Sequence, residues 1–198
     1  DRPLNVLWRY VFGRGAYPDK QFLITPVGRH EVSLYSFHDM ITLVECFGKL
    51  DYPADDDISC VVDFGSNIGV SAGYFLTRNN SVRVYLFEPL PENIKRLKCN
   101  LKRFESRFEL NPIAVGLENG TCEFGFEATG RYGGLQSELP ETIQVEVRKA
   151  EEIVLELFHT FLFLLIIRLT HFLLAESYHY HYFYHLVFFQ VLSFHFRN

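Results

Sequence analysis

The chain has 198 residues, 48% of them hydrophobic and 22% charged, with a formal net charge of −5. That length supports one domain with a sizeable core, and the acidic balance argues against a nucleic-acid partner. Cys46, Cys60, Cys99 and Cys122 stand in no metal-ligand spacing, which sets aside a zinc framework and points to a reducing compartment, read as cytoplasmic.

Residues 1–50 read as an N-terminal cover region. Val11 to Gly15 and the turn Pro26-Val27-Gly28-Arg29 suggest small strands or loops, and Asp39 to Phe47 reads as a short helix. His38 and Asp39 read as surface residues. The run Asp55-Asp56-Asp57 is a solvated loop without the spacing of a calcium site. No signal peptide is evident, and the opening at Asp1 fits a fragment or a processed piece.

Residues 61–70, VVDFGSNIGV, carry the clearest signal. Cys60, Val61 and Val62 predict a buried strand of a parallel sheet. Gly65 and Gly69 predict a turn that reaches positive φ or lies close to a ligand, and Ser66 or Asn67 can cap a helix starting at Val70. Free N–H groups in such a turn suit an anionic group of a nucleotide-like cofactor. The spacing is not the dinucleotide fingerprint G-x-G-x-x-G, because Asn67 stands where the middle glycine belongs, so a pyrophosphate is disfavoured. Val82, Val84, Leu86 and Phe87 predict a second strand closed by Glu88, 23 residues after Gly65. An acid there, at the carboxyl edge of the sheet, can accept hydrogen bonds from both ribose hydroxyls of an adenosine.

From Pro91, the positions Ile94, Leu97, Leu101 and Phe104 predict an amphipathic helix packed on the sheet. Pro91 suits its first position, Glu92 its positive end, and the lysines and arginines its far end. The basic face reads as solvated, since no aromatic residues interleave it. Phe108 to Val115 predicts a third strand, Glu118-Asn119-Gly120 a tight turn, and Thr121 to Glu127 a hairpin arm. Gly130 to Ser137 reads as a surface loop, and Ile143, Val145 and Val147 as one more strand.

VVDFGSNIG, LFEPLPENIKRLKCNL and ELNPIAVGLENGTCEFGF together resemble the FkbM family of methyltransferases, over roughly residues 30–153. The resemblance lies in Asn67 inside the glycine turn, the Phe-Glu-Pro triplet at 87–89 and the Asn-Leu pair at 100 and 101. It implies an α/β fold, the class I methyltransferase Rossmann-like doubly wound sheet, with S-adenosylmethionine as cofactor and a small-molecule methyl acceptor, such as a sugar-like hydroxyl. It implies that Asp63, Gly65, Asn67 and Gly69 hold the methionine part, with Ser66 also among the cofactor-binding residues, that Glu88 holds the ribose, and that Pro89, Leu90 and Asn111 to Ala114 flank the adenine. It also brings His38 and Asp39 near the substrate pocket. It names no catalytic base.

The pattern stops near residue 153, so the core reads as 51–153 and the fold as truncated or altered after its third core strand. From Leu157 to Asn198 the 42 residues hold only three charged side chains, with six histidines and thirteen aromatics. No glycine follows Gly134 and no proline follows Pro140, so the turns of an ordinary α/β domain are missing from the tail, 154–198. The family's Asp-x-Glu-Gly-like motif is absent as well. Three readings compete: a wrong reading frame or retained intron, a membrane-associated segment, or a divergent buried helix pair. Leu157 to Ile167 falls short of a bilayer span. His179, His181 and His185, with Glu176 as their nearest acid, do not complete a metal site, so no metal is assigned. Two functional alternatives stand beside a methyltransferase: a catalytically inactive remnant that serves as a binding module, and a nucleotide-dependent oxidoreductase, which the missing glycine disfavours.

Overall fold

The computed structural model describes residues 3–127, 133–135 and 139–160. The loop reading falls partly, and the histidine-rich stretch wholly, outside the described residues. Among the described residues no helix is long and apolar enough to cross a membrane, and no cluster of three or more His, Cys, Asp or Glu side chains could hold a metal ion.

The first 50 residues contain more regular structure than their sequence suggests. Helix α1 spans Pro3–Phe12, so Val11 and Phe12 end a helix and do not form a strand. Strands β1 (Asp19–Thr25) and β2 (Gly28–Leu34) form an antiparallel hairpin. The predicted turn at Pro26 closes it, with Gly28 at φ +99° and the Thr25 hydroxyl donating to the Gly28 carbonyl at 2.6 Å. Helix α2 (Phe37–Leu43) begins at a capping box in which Ser36 and Asp39 satisfy each other's backbone N–H. It runs on into a π-helical turn, Val44–Lys49, which ends at Leu50 in the left-handed region.

Strands β3 (Cys60–Phe64), β4 (Arg83–Phe87) and β5 (Phe108–Asn111) form a parallel sheet in that order. Helix α3 (Val70–Leu76) connects the first pair, and helix α4 (Pro91–Asn100) with the 3₁₀ turn Lys102–Arg107 connects the second. Phe104 falls in that 3₁₀ turn. Side chains alternate across the sheet as a two-residue period requires. Val61, Val84 and Leu86 join Phe75, Leu76, Leu97 and Leu101 in the main core. Val62, Phe64, Tyr85 and Phe87 form the other face, which packs against Ile113, Ile153 and Leu157. Residues 150–160 are helical and cover that second face, so the sheet is buried on both sides.

The third strand is interrupted. Pro112 has no N–H to give to the ladder, and the Ile113 N–H turns back to the Asn111 carbonyl at 2.9 Å. The predicted span 108–115 therefore divides. β5 stays with β4, and β6 (Ala114–Gly116) leaves to join a second sheet in the order β6-β9-β7-β8. Its other strands are β7 (Gly120–Phe126), β8 (Gly133–Leu135) and β9 (Glu141–Lys149). The chain is thus a mixed α/β protein: among the described residues a three-stranded parallel sheet grows in one direction, β3-β4-β5, and a second, mixed sheet pairs β6 parallel and β7 antiparallel with β9.

Candidate functional site

The glycine turn sits at the carboxyl edge of β3 and β4. Phe64 pairs with Phe87 at the last register position, so the residues that follow each strand, Gly65 and Glu88, emerge side by side. The turn needs three departures from ordinary backbone, at alternate positions: Gly65 at φ +75°, Asn67 at +48° and Gly69 at +82°. Asparagine tolerates the left-handed region better than most residues. The two glycines are required for different reasons. A Cβ on Gly65 would meet nothing within 4 Å, whereas one on Gly69 would lie 3.1 Å from Leu97 and 3.2 Å from Leu101. Gly65 borders open space, and Gly69 lets α4 approach.

Four N–H groups of the turn, those of Gly65, Ser66, Asn67 and Gly69, are engaged within the fold. Gly65 and Ser66 donate to the Phe87 carbonyl at 2.9 and 3.0 Å, and Gly69 donates to the Ser66 carbonyl at 2.8 Å. Asn67 donates to Oε2 of Glu88 at 2.8 Å. With these four donors taken up, an anion at this turn has only the Ile68 N–H and the first N–H groups of α3 left to meet.

Ser66 joins the two strands, with its hydroxyl donating to the Asp63 carbonyl at 2.8 Å and accepting from the Phe87 N–H at 3.1 Å. The carboxylate of Asp63 accepts from the Ser71 hydroxyl at 2.8 Å. Burial, reinforced by the nearby Glu88 charge, pushes Asp63 up to about 6. Glu88 is only 4% exposed. Besides Asn67, it accepts from the Leu90 N–H at 3.0 Å and the Asn93 amide at 3.2 Å. Burial raises its pKa, and those hydrogen bonds oppose the rise. A carboxylate offers about four acceptor positions, and these bonds use three of them; Glu88 itself is not among the residues that line the cavity over the turn.

A cavity of about 190 Å³ opens over the turn. Gly65, Ser66, Asn67, Asp63 and Ser71 form its floor, and Asp39, Thr42, Glu45 and Tyr52 form its wall. Asp39, Glu45 and Asp63 are acidic, and among the described residues no Lys, Arg or His lines it. Asn67 Oδ1 is buried and has no hydrogen-bond partner among the described residues. It is an acceptor suited to a donor from a ligand.

The structure brings Asp63, Gly65, Ser66, Asn67 and Glu88 together. Gly69 stands just behind them, while Pro89 and Leu90 continue from Glu88, with Leu90 buried. Asn111 ends β5 beside Phe87, and its carbonyl accepts from the Glu88 N–H at 3.2 Å. Ala114 lies past the Pro112 break on β6, buried with Val145 and Val147. Asp39 is not a surface residue. It is 5% exposed, accepts from the Tyr35 and Ser36 N–H groups at 2.7 and 2.8 Å, and lines the cavity. Its pKa is raised by burial. Sequence reasoning missed Thr42, Glu45, Tyr52 and Ser71. The pattern Ser36-x-x-Asp39 was a legible signal for the start of α2, but none marks Glu45 or Tyr52.

A parallel strand–turn–helix unit with an acid at the edge of the next strand defines a small-ligand site at the carboxyl ends of the strands. The chain is similar in structure to the methyltransferase FkbM from Methylobacillus flagellatus KT, with 18% identity, TM-score 0.39, and coverage of 56% of this chain and 27% of that one. It is also similar to a Pyrococcus horikoshii protein proposed to be an RNA methyltransferase, with 23% identity, TM-score 0.27, and coverage of 38% and 37%. The chain therefore spans well under half the length of each. No protein-family profile and no curated protein matches it.

Proposed function

We propose that this chain is an S-adenosylmethionine-dependent methyltransferase with a Rossmann-like core, acting on a hydroxyl oxygen of a small molecule. The observation that carries this reading is the chemistry of the turn: the N–H groups of Gly65, Ser66, Asn67 and Gly69 are engaged within the fold, and among the described residues the cavity above it is lined by three acids and no cation. Such a site disfavours a pyrophosphate and favours a ligand bearing positive charge. S-adenosylmethionine fits on both counts, since its ammonium and sulfonium groups are cationic and its ribose offers two hydroxyls.

Asn67 Oδ1 and Asp63 suit the ammonium as acceptors, and Glu88 suits the ribose. The cofactor supplies a methyl group already activated by the sulfonium charge, so the protein's task is to align donor and acceptor and to keep water out. The wall from α2 and the π-helical turn, with Asp39, Thr42, Glu45 and Tyr52, stands where it can shape that approach. The four cysteines are free thiols, which suits a reducing compartment such as the cytoplasm.

Calorimetry with S-adenosylmethionine, its demethylated product and NAD tests the reading. Binding of the first two in preference to NAD is expected. Tighter binding of NAD would overturn it and support a nucleotide-dependent oxidoreductase.

A further inference from the structure

Helix α1 carries an apolar stripe that the cavity does not use. Leu4, Leu7, Trp8, Val11 and Phe12 are 80%, 57%, 55%, 59% and 55% exposed. Their spacing (i, i+3, i+4, i+7, i+8) places all five on one face, and the rings of Trp8 and Phe12 stand 4.1 Å apart. The opposite face is anchored. Val6 packs against the main core. Arg9 donates to the Ala16 carbonyl at 3.1 Å and pairs with Asp19 at 3.5 Å. The stripe is held outward by these contacts.

Its electrostatic setting is distinct from the rest of the chain. α1 contains no acidic residue. Arg14 is exposed just beyond its end, and Lys49 Nζ lies 5.4 Å from the Tyr10 ring. Of the cations in residues 1–20, Arg9 pairs with Asp19 and Lys20 with Glu31 at 2.6 Å, which leaves Arg14 beside the stripe in a chain of net charge −5. An apolar, aromatic face framed by cations on an otherwise acidic protein is complementary to an anionic lipid surface. A second copy of the chain fits less well: ten residues of helix span about 15 Å, too little to supply the roughly 800 Å² per partner of a stable dimer.

We infer that α1 is an interfacial helix that docks the protein on anionic membranes, with Leu4, Leu7, Trp8, Val11 and Phe12 entering the acyl boundary and Arg14 and Lys49 meeting the headgroups. The inference is independent of the methyltransferase reading.

Trp8 is the only tryptophan of the chain, so its fluorescence reports on this face alone. With the full chain, Trp8 should emit as a solvent-exposed indole in buffer. It should shift to shorter wavelength and lose quenching by acrylamide on vesicles of phosphatidylcholine with phosphatidylserine. The shift should weaken on pure phosphatidylcholine and at high salt. Leu7→Glu and Val11→Glu retain Trp8 and change exposed positions, so the fold should persist. Each should lower vesicle partitioning about tenfold or more, the equivalent of losing one buried aliphatic side chain. Three results would overturn the inference: no vesicle-induced shift, a shift that grows with protein concentration in the absence of lipid, which would assign the face to a second copy, or a Trp8 already shielded in buffer at every concentration, which would mean that another part of the chain covers it.

Discussion

The N–H of Asn67 donates to the carboxylate of Glu88 at 2.8 Å, across 21 residues of sequence. This bond joins the apex of the glycine turn to the end of the neighbouring strand, so the acid that would hold a ribose also holds the turn in shape. On the proposed reading, binding and local stability are coupled through one side chain.

Glu88→Ala should therefore weaken S-adenosylmethionine binding by about 1.5–3 kcal/mol, the scale of hydrogen bonds to a charged group, and should also lower the unfolding midpoint. Glu88→Gln keeps an acceptor oxygen for Asn67 or Leu90 and should recover part of both losses. Calorimetry and denaturant unfolding on the same samples check this. An unchanged dissociation constant in Glu88→Ala would remove Glu88 from the site.

Asp63 makes stability depend on pH. Its folded pKa is raised to about 6, above the ordinary aspartate value, so the folded state holds the proton more tightly than the unfolded one. The corresponding stability is fully present below pH ~4 and is lost as pH rises through about 6. Asp63→Asn, which cannot ionise, should be more stable than the parent at pH 8 by on the order of 2–3 kcal/mol, with the advantage shrinking towards pH 4. Cofactor binding should run the other way, because an ionised Asp63 attracts a cationic ligand: affinity should rise from pH 5 to pH 7 in the parent and much less in Asp63→Asn. Urea unfolding and calorimetry across that range test both signs.

Gly65 and Gly69 look equivalent in the sequence, and the structure separates them. Both lie at positive φ, so alanine at either costs about 1–2 kcal/mol of backbone strain. At Gly69 the new methyl would also press on Leu97 and Leu101, adding roughly 1–3 kcal/mol of overpacking. Gly69→Ala should thus be the more destabilising. Gly65→Ala should retain more stability but place a methyl at the cavity floor, with a larger loss of cofactor affinity for each degree of Tm lost. Equal Tm changes in the two variants would contradict the packing difference.

The same contrast shows what was legible in the sequence. The core from β3 to α4 was readable because each step has a local cause: apolar strands, glycines where φ is positive, a proline at the first turn of α4. The interruption at Pro112 was readable in principle, since proline cannot serve a central ladder, but Asn111 and Ala114 then part into different sheets, which only pairing partners decide. Asp39 misled because a charged residue is by default exposed, and its burial depends on two backbone donors supplied by Tyr35 and Ser36. Glu45 and Tyr52 reach the cavity because α2 packs over α3, a tertiary event without local sequence signature. α1 was missed because its apolar stripe faces solvent and because the sequence places Arg2, not a Ser, Thr, Asp or Asn, directly before Pro3.

Ile153 tests whether the helical residues 150–160 belong to the domain. The family-like pattern ends near this position, yet Ile153 is 2% exposed and packs with Phe87, Ile113 and Leu157 against the second face of the parallel sheet. Val62, Phe64 and Tyr85 lie partly buried beside it, and parallel strands need both faces covered. Ile153→Ala should cost about 2–5 kcal/mol, the range for truncating a buried aliphatic side chain to alanine, read as a lower urea midpoint with an unchanged denaturant slope. An exposed change on the same helix, Glu151→Ala, should leave the midpoint nearly unchanged, since its pairing with Lys149 at 2.9 Å is on the surface. If Ile153→Ala were as mild as Glu151→Ala, the second face would not depend on this helix, and the layer assigned to residues 150–160 would have to be withdrawn.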